Sequence, residues 1–273
     1  MRYEAIHAVT YFAPHSAQAA REAGLKGFWM GYFGFRAAPM GEVSAGVVKA
    51  TFANFAPSRV ERAVPDAWAL ASPESLLAAR SASAAAALRE LDETVADTAR
   101  SANPLLERLV AAGDGLGRPL FAANLALPLP EDPVERLWQL CTTLREYRGD
   151  GHVIALAAEE VTGPEAHLLL LAERNLSEEM LLLARGFNES EWTDAKENLQ
   201  AKGLVEKGHL TEVGISLRNR IEATTDRLAD GPFDVLSSAE LSTLTEHLER
   251  SARAVMASGF IPENNPIGLP VLD

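Results

Sequence analysis

The chain contains a single cysteine and no long apolar run. Cys141 has no second cysteine with which to form an intramolecular disulfide, and it lies in an apolar helical pattern, so a reducing compartment is expected. The first four residues begin no apolar run of signal length, and no window approaches the ~20 apolar residues that a helix needs to span a bilayer. We therefore predict a cytoplasmic protein with no membrane partner.

The sequence patterns of common catalytic and cofactor sites are also missing. There is no His-Glu-x-x-His pattern, the single cysteine excludes a cysteine-based zinc site, and no serine lies in a nucleophile-elbow motif. Gly113, Gly115 and Gly117 follow no strand pattern, so they do not predict a phosphate-binding loop. His7 and His152 could hold a metal or haem if they converged, but no third ligand is suitably spaced. We predict no metal site and leave the cofactor unknown.

Positive charge is scarce. The chain has 25 lysines and arginines against 38 acidic residues, which gives a formal net charge of −13. Nonspecific affinity for nucleic acid comes mainly from cations that displace counterions from phosphates, so a strongly acidic protein is repelled unless its bases lie on one face. A DNA-binding function therefore requires a local basic patch in this chain.

What the chain has in quantity is helix-forming sequence. Its 273 residues, 47% of them hydrophobic, are enough for two units of ordinary domain size. Apolar spacing and breakers such as Pro14, Gly24 and Pro57 predict a mainly α fold, and Ser72 is the expected N-cap of an alanine-rich helix. The predicted helices include 6–12, 16–22, 27–36, 44–55, 73–91, 133–147, 180–185 and 191–202.

The segment 114–131 is rich in glycine and proline, so we place a junction there. The division predicts an N-terminal half at 1–130, a C-terminal half at 131–258 and a strap at 259–273. The helix at 133–147 is expected to end at Arg148-Gly149-Asp150-Gly151, with a new helix beginning at His152. The strap's apolar residues, which favour docking onto the body, are Ile267, Leu269, Val271 and Leu272.

Two stretches about 145 residues apart can be laid over each other. The matched groups are His7-Ala8-Val9 with His152-Val153-Ile154, Arg36 with Arg185, Ala53-Asn54-Phe55 with Glu197-Asn198-Leu199, and Leu77, Arg80 and Leu88 with Leu217, Arg220 and Leu228. The offset drifts, as short loop insertions between matched helices would make it do. An internal period predicts repeated structural units, and the alternative is a chance match between two helical halves rich in alanine and leucine.

The C-terminal half has the most specific order of elements. Gly186 ends one predicted helix, and Asn188 or Ser190 caps the next. Residues 204–210 predict a tight hairpin, and Thr211 caps a long helix. Helix, turn, helix, small hairpin and long helix is the order of a winged helix-turn-helix.

Two resemblances follow from these patterns. The run Leu199-Gln200-Ala201-Lys202-Gly203-Leu204-Val205, with 210–214 and 221–228, resembles the end of the recognition helix, the wing and the following helix of MarR-type regulators. The chain from His7-Ala8-Val9-Thr10-Tyr11-Phe12 to Asn265-Pro266-Ile267-Gly268-Leu269-Pro270 resembles a family of helix-turn-helix proteins from high-GC bacteria. MarR-type proteins are dimers that hold ligands between the dimerisation helices and the reading domain. With the internal repeat, the resemblance implies two winged-helix-like halves forming a pseudo-dimer within one chain, with small β-hairpin wings.

The predicted reading surface departs from that of a DNA-binding winged helix. Between Asn188 and His209 there are five acids and three lysines, and there is no arginine. A reading helix needs arginine or lysine directed at phosphates and base edges. In the first half, the equivalent segment has only Lys49. We therefore expect strong DNA binding to have been lost.

A cleft between the two halves is the predicted site, because pockets favour interfaces between subdomains. The candidate ligand-binding residues are His7, Tyr11, Trp29, Tyr32, Arg36, Asn54, Arg145, Arg148 and His152. A guanidinium among aromatic and small residues favours a carboxylate or phosphate partner, which makes Arg36 and Arg148 the strongest candidates. Asp150 is a possible partner for either. A buried structural role is the alternative for His7 and Trp29, and a helix-capping role is the alternative for His152.

The sequence thus predicts a protein that binds a small molecule, anionic or aromatic, between its halves. One alternative is a MarR-like transcriptional regulator that binds DNA. A second is a small-molecule enzyme in which His7 or His152 is the acid or base and Arg148 holds an anionic substrate, with both groups facing one void. A third is a scaffold that binds another protein through its acidic faces. The expected assembly is a monomeric pseudo-dimer or a homodimer.

Overall fold

The protein is mainly helical, as predicted. The computed structural model describes residues 2–174, 177–262, 265, 267 and 269, and this part of the chain contains fifteen α-helices and one two-stranded antiparallel sheet. The first nine helices are α1 (Arg2–Phe12), α2 (Pro14–Glu22), α3 (Gly27–Ala37), α4 (Ala45–Thr51), α5 (Pro57–Glu61), α6 (Asp66–Leu70), α7 (Pro73–Leu91), α8 (Val95–Ala111) and α9 (Pro119–Leu125). The remaining elements are α10 (Pro133–Ala158), α11 (Gly163–Glu173), α12 (Glu178–Arg185), α13 (Glu189–Ala201), β1 (Val205–Glu206), β2 (His209–Leu210), α14 (Glu212–Asp230) and α15 (Ser238–Ala257).

Side-chain caps fix several helix starts where the sequence predicts them. Ser72 accepts a hydrogen bond from the Ser75 amide at 3.3 Å, and Thr211 accepts one from the Gly214 amide at 3.1 Å. Asn188, rather than Ser190, caps α13 and forms a reciprocal capping box with Glu191. The predicted hairpin is also confirmed, since β1 pairs with β2 in antiparallel register.

The predicted break at 148–151 is wrong, because α10 continues unbroken to Ala158. Gly151 serves close packing here. A Cβ on Gly151 would lie 2.8 Å from Arg118 Nη1 and 3.4 Å from Leu228 Cβ, so glycine admits a side chain and a neighbouring helix against α10. His152 consequently lies inside a helix, and the predicted capping role does not apply.

Two other local expectations differ from the structure. The helix predicted at 44–55 ends at Thr51, which leaves Phe52 to Phe55 as a turn that faces the C-terminal half. The junction at 114–131 contains α9, whose Leu120 and Phe121 are buried against neighbouring helices. Burial of these two side chains outweighs the helix-breaking tendency of the glycines and prolines around them.

Buried apolar side chains form three clusters. The central core joins α1, α7, α8, α10 and α15, with Trp138 and Leu137 at its centre. The N-terminal core joins α3 to α6 with Ala20, Leu25, Leu76 and Leu120. The C-terminal core joins the end of α10 to α11, α12, α13 and α14. Two lobes thus flank a shared helical centre, because α7 and α10 each take part in two cores.

Ile267 and Leu269 pack against the central core. The Asn265 side chain accepts a hydrogen bond from the Leu269 amide at 2.9 Å. Residues 263, 264, 266, 268 and 270–273 of the predicted strap, including Val271 and Leu272, lie outside the described residues. Among the described helices, none is both long and apolar enough to cross a membrane.

Candidate ligand site at the seam between the lobes

A cavity of about 440 Å³ lies where the two lobes and the central helices meet. We call it the seam cavity. The first lobe contributes α1, α3 and the turn from Phe52 to Phe55, and the second contributes α11, the end of α12 and α14. Helix α10 supplies the wall between them. Ile267 and Leu269 add apolar surface from the chain beyond α15.

The structure brings seven of the nine candidate residues to this cavity. They are His7, Tyr32, Arg36, Asn54, Arg145, Arg148 and His152. Tyr11 lines a smaller neighbouring cavity instead. Trp29 lines neither of these two cavities, because it packs in the N-terminal core against Phe55, with the Arg59 guanidinium 4.4 Å from the centre of its ring.

The seam cavity is rich in arginine although the protein as a whole is acidic. Six arginines line it against three carboxylates. The arginines are Arg36, Arg145, Arg148, Arg174, Arg185 and Arg218, and the carboxylates are those of Glu4, Asp150 and Glu222. Guanidinium groups gathered around a void favour binding of an anion, since each offers several directed N–H donors to a carboxylate or phosphate. The Arg174 side chain is more exposed than those of the other ion-paired arginines of this wall, at 54%.

Glu146 holds part of this cluster together from behind the wall. Its carboxylate accepts two hydrogen bonds from Arg36, at 2.9 and 2.8 Å, and one from Arg145 at 2.8 Å. Burial alone would raise the pKa of Glu146, but the two guanidinium groups hold that pKa far below its usual range. Burial would likewise lower the pKa of Arg36, which Glu146 instead raises well above its usual value. These charges are fixed in place by one another.

Two of the remaining arginines pair with partly exposed carboxylates. Arg148 bonds the exposed carboxylate of Asp226 at 3.0 Å, and Arg218 bonds Glu173 at 2.9 Å. Arg185 lies with its guanidinium 4.7 Å from the centre of the Phe55 ring. Burial lowers the pKa of Arg185 to about 10.

Three histidines surround the cavity in their neutral form. His7 Nδ1 lies 2.9 Å from Thr142 Oγ1, and His152 Nδ1 lies 3.0 Å from Thr225 Oγ1. His167 Nε2 lies 2.9 Å from the carbonyl oxygen of Asn54 and joins the lobes across the seam. Burial is the main reason that the pKa values of all three are lowered, that of His167 to about 3. His7 and His152 face the same void.

Asp150 does not pair with Arg36 or Arg148 as expected. Arg36 is engaged by Glu146 and Arg148 by Asp226, while Asp150 Oδ2 accepts a hydrogen bond from the Phe121 amide at 2.9 Å. Asp150 thereby caps the start of α9. Burial raises its pKa to about 6, because the one-sided contact with the helix start does not compensate for the lost hydration.

Sequence reasoning missed Arg174, Arg185, Arg218, Glu146 and His167. The signal for Arg185 was present, since the internal overlay matches it to Arg36, a chosen site residue. Arg218 and Glu146 carried no such signal. Their neighbours in the cavity are distant in sequence, and helical periodicity alone does not distinguish a cavity wall from a core.

The neighbouring cavity, which we call the inner chamber, has a volume of about 160 Å³. It lies between α1, α2, α3, α7 and α10. It shares His7, Tyr32 and Arg36 with the seam cavity, and most of its remaining wall is apolar or aromatic.

Each lysine of the predicted reading surface lies near a carboxylate. We call residues 188–209, which hold α13 and the hairpin, the winged segment. The lysines pair as follows: Lys196 with Glu178 at 2.5 Å, Lys202 with Glu165 at 2.9 Å and Lys207 with Glu206 at 4.0 Å. In the first lobe, Lys49 pairs with Glu61 at 2.6 Å. These pairs reduce the positive potential that either surface offers to a phosphate backbone.

Comparison with known proteins identifies the family. A family model described as a helix-turn-helix family matches residues 1–262, and the chain belongs to that family. Helix-turn-helix is a fold of the DNA-binding type. No curated protein and no solved structure matches the chain.

Proposed function

We propose that this member of the helix-turn-helix family binds a small anionic molecule in the seam cavity. The observation that carries the proposal is the gathering of six arginines around a void in a protein of net charge −13. They come from α3, α10, α12, α14 and the residue that follows α11, and they converge on one space. The cavity volume of about 440 Å³ suits a molecule of metabolite size.

The arginines fall into two groups with different roles in this proposal. Arg36 and Arg145 are neutralised by Glu146 and shape the wall. Arg148 and Arg218 have partly exposed carboxylate partners, so a ligand anion can compete for them. A charge-assisted hydrogen bond contributes about 1.5–3 kcal/mol when it is formed away from water. Two such bonds would dominate the affinity.

The order of elements supports a pseudo-dimeric architecture for the site. The run α1 to α4 corresponds to the end of α10 through α13, the long helix α7 corresponds to α14, and α8 corresponds to α15. Short helices α5 and α6 stand in the first lobe where the hairpin stands in the second. Matched residues Arg36 and Arg185, as well as His7 and His152, meet at the seam. The symmetry is not complete, since Arg80 is buried and its match Arg220 is exposed and paired with Glu159.

A thermal-shift and calorimetric titration tests the proposal. Probes are inorganic phosphate, citrate, succinate, benzoate and nucleoside monophosphates in low-chloride buffer. We expect at least one class to raise the unfolding midpoint with saturable binding. Arg148→Met and Arg185→Met should each weaken that binding about 10-fold or more.

The matched control is Arg220→Met, which removes an arginine that pairs on the surface with Glu159 outside the seam cavity. This variant should bind the same anions as the unmodified protein does. Equal loss of binding in Arg220→Met and in Arg185→Met, or no binding of any probe, would reject the seam cavity as an anion site.

A second candidate function is DNA-binding regulation, which the family favours. In that case the anion would act as an effector. The pairing of Lys196 and Lys202 with glutamates argues against strong DNA binding by the winged segment. A mobility-shift titration with genomic DNA fragments at low and physiological salt distinguishes the two. Sequence-selective binding that persists at about 150 mM salt would establish the regulator and contradict loss of DNA binding.

A further inference from the structure

The inner chamber has the size of one six-membered ring. Its volume is about 160 Å³, close to the roughly 150 Å³ of an engineered cavity that accommodates benzene. Tyr11, Phe28, Tyr32, Phe35 and Trp138 supply aromatic surface. Such a wall favours a flat apolar group through dispersion and edge-to-face contacts.

Four buried polar atoms of residues in this wall have no hydrogen-bond partner within the described residues. They are His7 Nε2, the Tyr11 hydroxyl, the Ser16 hydroxyl and Arg80 Nε. The side chains of His7 and Tyr11 are 2% and 8% exposed, and their rings meet edge to face with centroids 4.9 Å apart. A buried polar atom without a hydrogen-bond partner is destabilising, so native proteins seldom retain one without a function or a bound molecule.

The side chains of His7 and Tyr11 are both neutral. Burial lowers the pKa of His7 well below its usual value and raises that of Tyr11. Arg80 also lines the chamber: its Nη1 donates to the Phe35 carbonyl and its Nη2 to Asn124 and Gln139, while its Nε has no partner among the described residues. The other polar or charged residues of the wall are Thr10, Ser16, Arg21, Arg36, Thr142 and Glu146. An oxygen that both donates and accepts would match this set, with His7 Nε2 as acceptor and Tyr11 or Arg80 as donor.

We propose that the inner chamber binds a ring-sized apolar group that carries a hydroxyl, and that this group is the body of the ligand whose anion binds in the seam cavity. The second part rests on the proposed function, because His7, Tyr32 and Arg36 line both cavities. The ligand class is therefore an acid with a hydroxylated ring. A chamber filled only by ordered water is the alternative outcome, because water can also satisfy His7 and Tyr11.

The chamber is tested by itself with phenol and benzene as ligands. Isothermal titration calorimetry on the full chain measures the affinity of each. We expect phenol to bind about 10-fold more tightly than benzene. Tyr11→Phe keeps the ring and removes only the hydroxyl, so it should weaken phenol binding about 5- to 10-fold and leave benzene binding unchanged. Because the hydroxyl has no hydrogen-bond partner among the described residues, Tyr11→Phe should have an unchanged or higher midpoint of thermal unfolding.

A filling variant gives an independent readout. Ala17→Leu adds volume to the chamber from α2, and Ala86→Leu adds the same group on the exposed face of α7. Ala17→Leu should weaken the binding of phenol and of benzene by at least 10-fold, while Ala86→Leu should change the binding of neither. Absence of phenol binding, or equal binding in Ala17→Leu, means that the chamber holds water only and overturns the proposal.

The link between the cavities is tested with 4-hydroxyphenylacetate. Its binding should be tighter than that of phenol or acetate and should be weakened by both Tyr11→Phe and Arg185→Met. Phenol should respond only to Tyr11→Phe, and acetate only to Arg185→Met. If phenol binds as expected but no anion does, the proposed anion site fails while the chamber stands. If both fragments bind but the joined molecule binds no more tightly, the single-ligand claim is wrong.

Discussion

Single side chains decide where charge is tolerated in this protein. Glu146 is buried among Arg36, Arg145 and the neutral His7. A buried carboxylate without cations would lose its charge or unfold the region around it, since removal of charge from water costs several kcal/mol. The two arginines make the ionised form stable, and the same arrangement presents their outer surfaces to the seam cavity.

Arg36→Met should lower the free energy of unfolding by about 3–5 kcal/mol, because it leaves Glu146 with only one strong cationic partner. Urea denaturation at pH 7 measures the change. The double variant Arg36→Met with Glu146→Gln should recover a large part of the loss. Arg220→Met, which breaks a surface pair, should cost less than about 1 kcal/mol. An equal loss in both single variants would show that the burial of Glu146 is unimportant.

Asp150 should make stability depend on pH. Burial raises its folded-state pKa to about 6, above the ordinary 3.8. Ionisation is therefore harder in the folded than in the unfolded protein, so the stability present below pH 4 falls as pH rises from about 4 to about 6. Asp150→Asn still accepts a hydrogen bond from Phe121 and should be more stable at pH 7 by about 2 kcal/mol.

The difference between Asp150→Asn and the unmodified protein should shrink toward zero near pH 4, and urea denaturation at several pH values measures it. The exposed Asp114 provides the control, because Asp114→Asn should leave the pH profile unchanged. A constant difference at all pH values would contradict the assigned cause.

At the level of elements, the sequence predicts helices well where a local cap or breaker acts. Ser72, Gly186 and Thr211 mark helix ends in the structure because their hydrogen bonds or backbone conformations are local. The same reasoning fails at Gly149 and Gly151. Helix α10 continues there because the low helix propensity of glycine is a difference of only about 1 kcal/mol per residue, and at Gly151 close packing against Arg118 and α14 outweighs it.

Part of the wall of the seam cavity could be predicted from the sequence. The sequence overlay matches His7 with His152 and Arg36 with Arg185, and all four residues line the seam cavity. Trp29 was misassigned because an aromatic residue next to a cavity and one inside a core have the same sequence pattern. Glu146 was missed because its bidentate partner, Arg36, lies 110 residues away in the sequence.

The exposed face of α13 gives an element-scale prediction. Asp194→Lys with Glu197→Lys raises the net charge by four units, through two carboxylates removed and two lysines added, on a helix whose own lysine is paired. We expect DNA binding at low salt to tighten at least about 5-fold and to become steeply salt-dependent, since each phosphate contact adds about 0.9 to the salt slope. A mobility-shift titration over several salt concentrations measures both effects.

The matched control makes the same charge change elsewhere. Glu131→Lys with Glu246→Lys places the new lysines in the loop before α10 and on α15. If this control binds DNA as tightly as the α13 variant, then net charge alone causes the effect and α13 has no special geometry for DNA.

For the whole molecule, the sharing of helices between cores matters more than the boundary at 130. Leu76 of α7 lies in the N-terminal core, while Ala84 and Leu88 of the same helix lie in the central core. Helix α10 links the central and C-terminal cores in the same way, through Leu137 and Leu156. Neither lobe can lose its packing without exposing the end of a helix that stabilises the centre.

We therefore expect the chain to unfold in one cooperative transition. Each core contains at least one tryptophan whose fluorescence reports on its unfolding. Trp29 and Trp68 pack in the N-terminal core, Trp138 in the central core and Trp192 in the C-terminal core. Three variants that retain tryptophan in only one core, with phenylalanine at the other positions, separate the signals. In each variant, the fluorescence midpoint in urea should coincide with the midpoint from far-UV circular dichroism, as two-state unfolding requires. An earlier fluorescence transition for Trp192 alone would mean that the C-terminal lobe unfolds independently, and the seam cavity would then be a contact between separable domains.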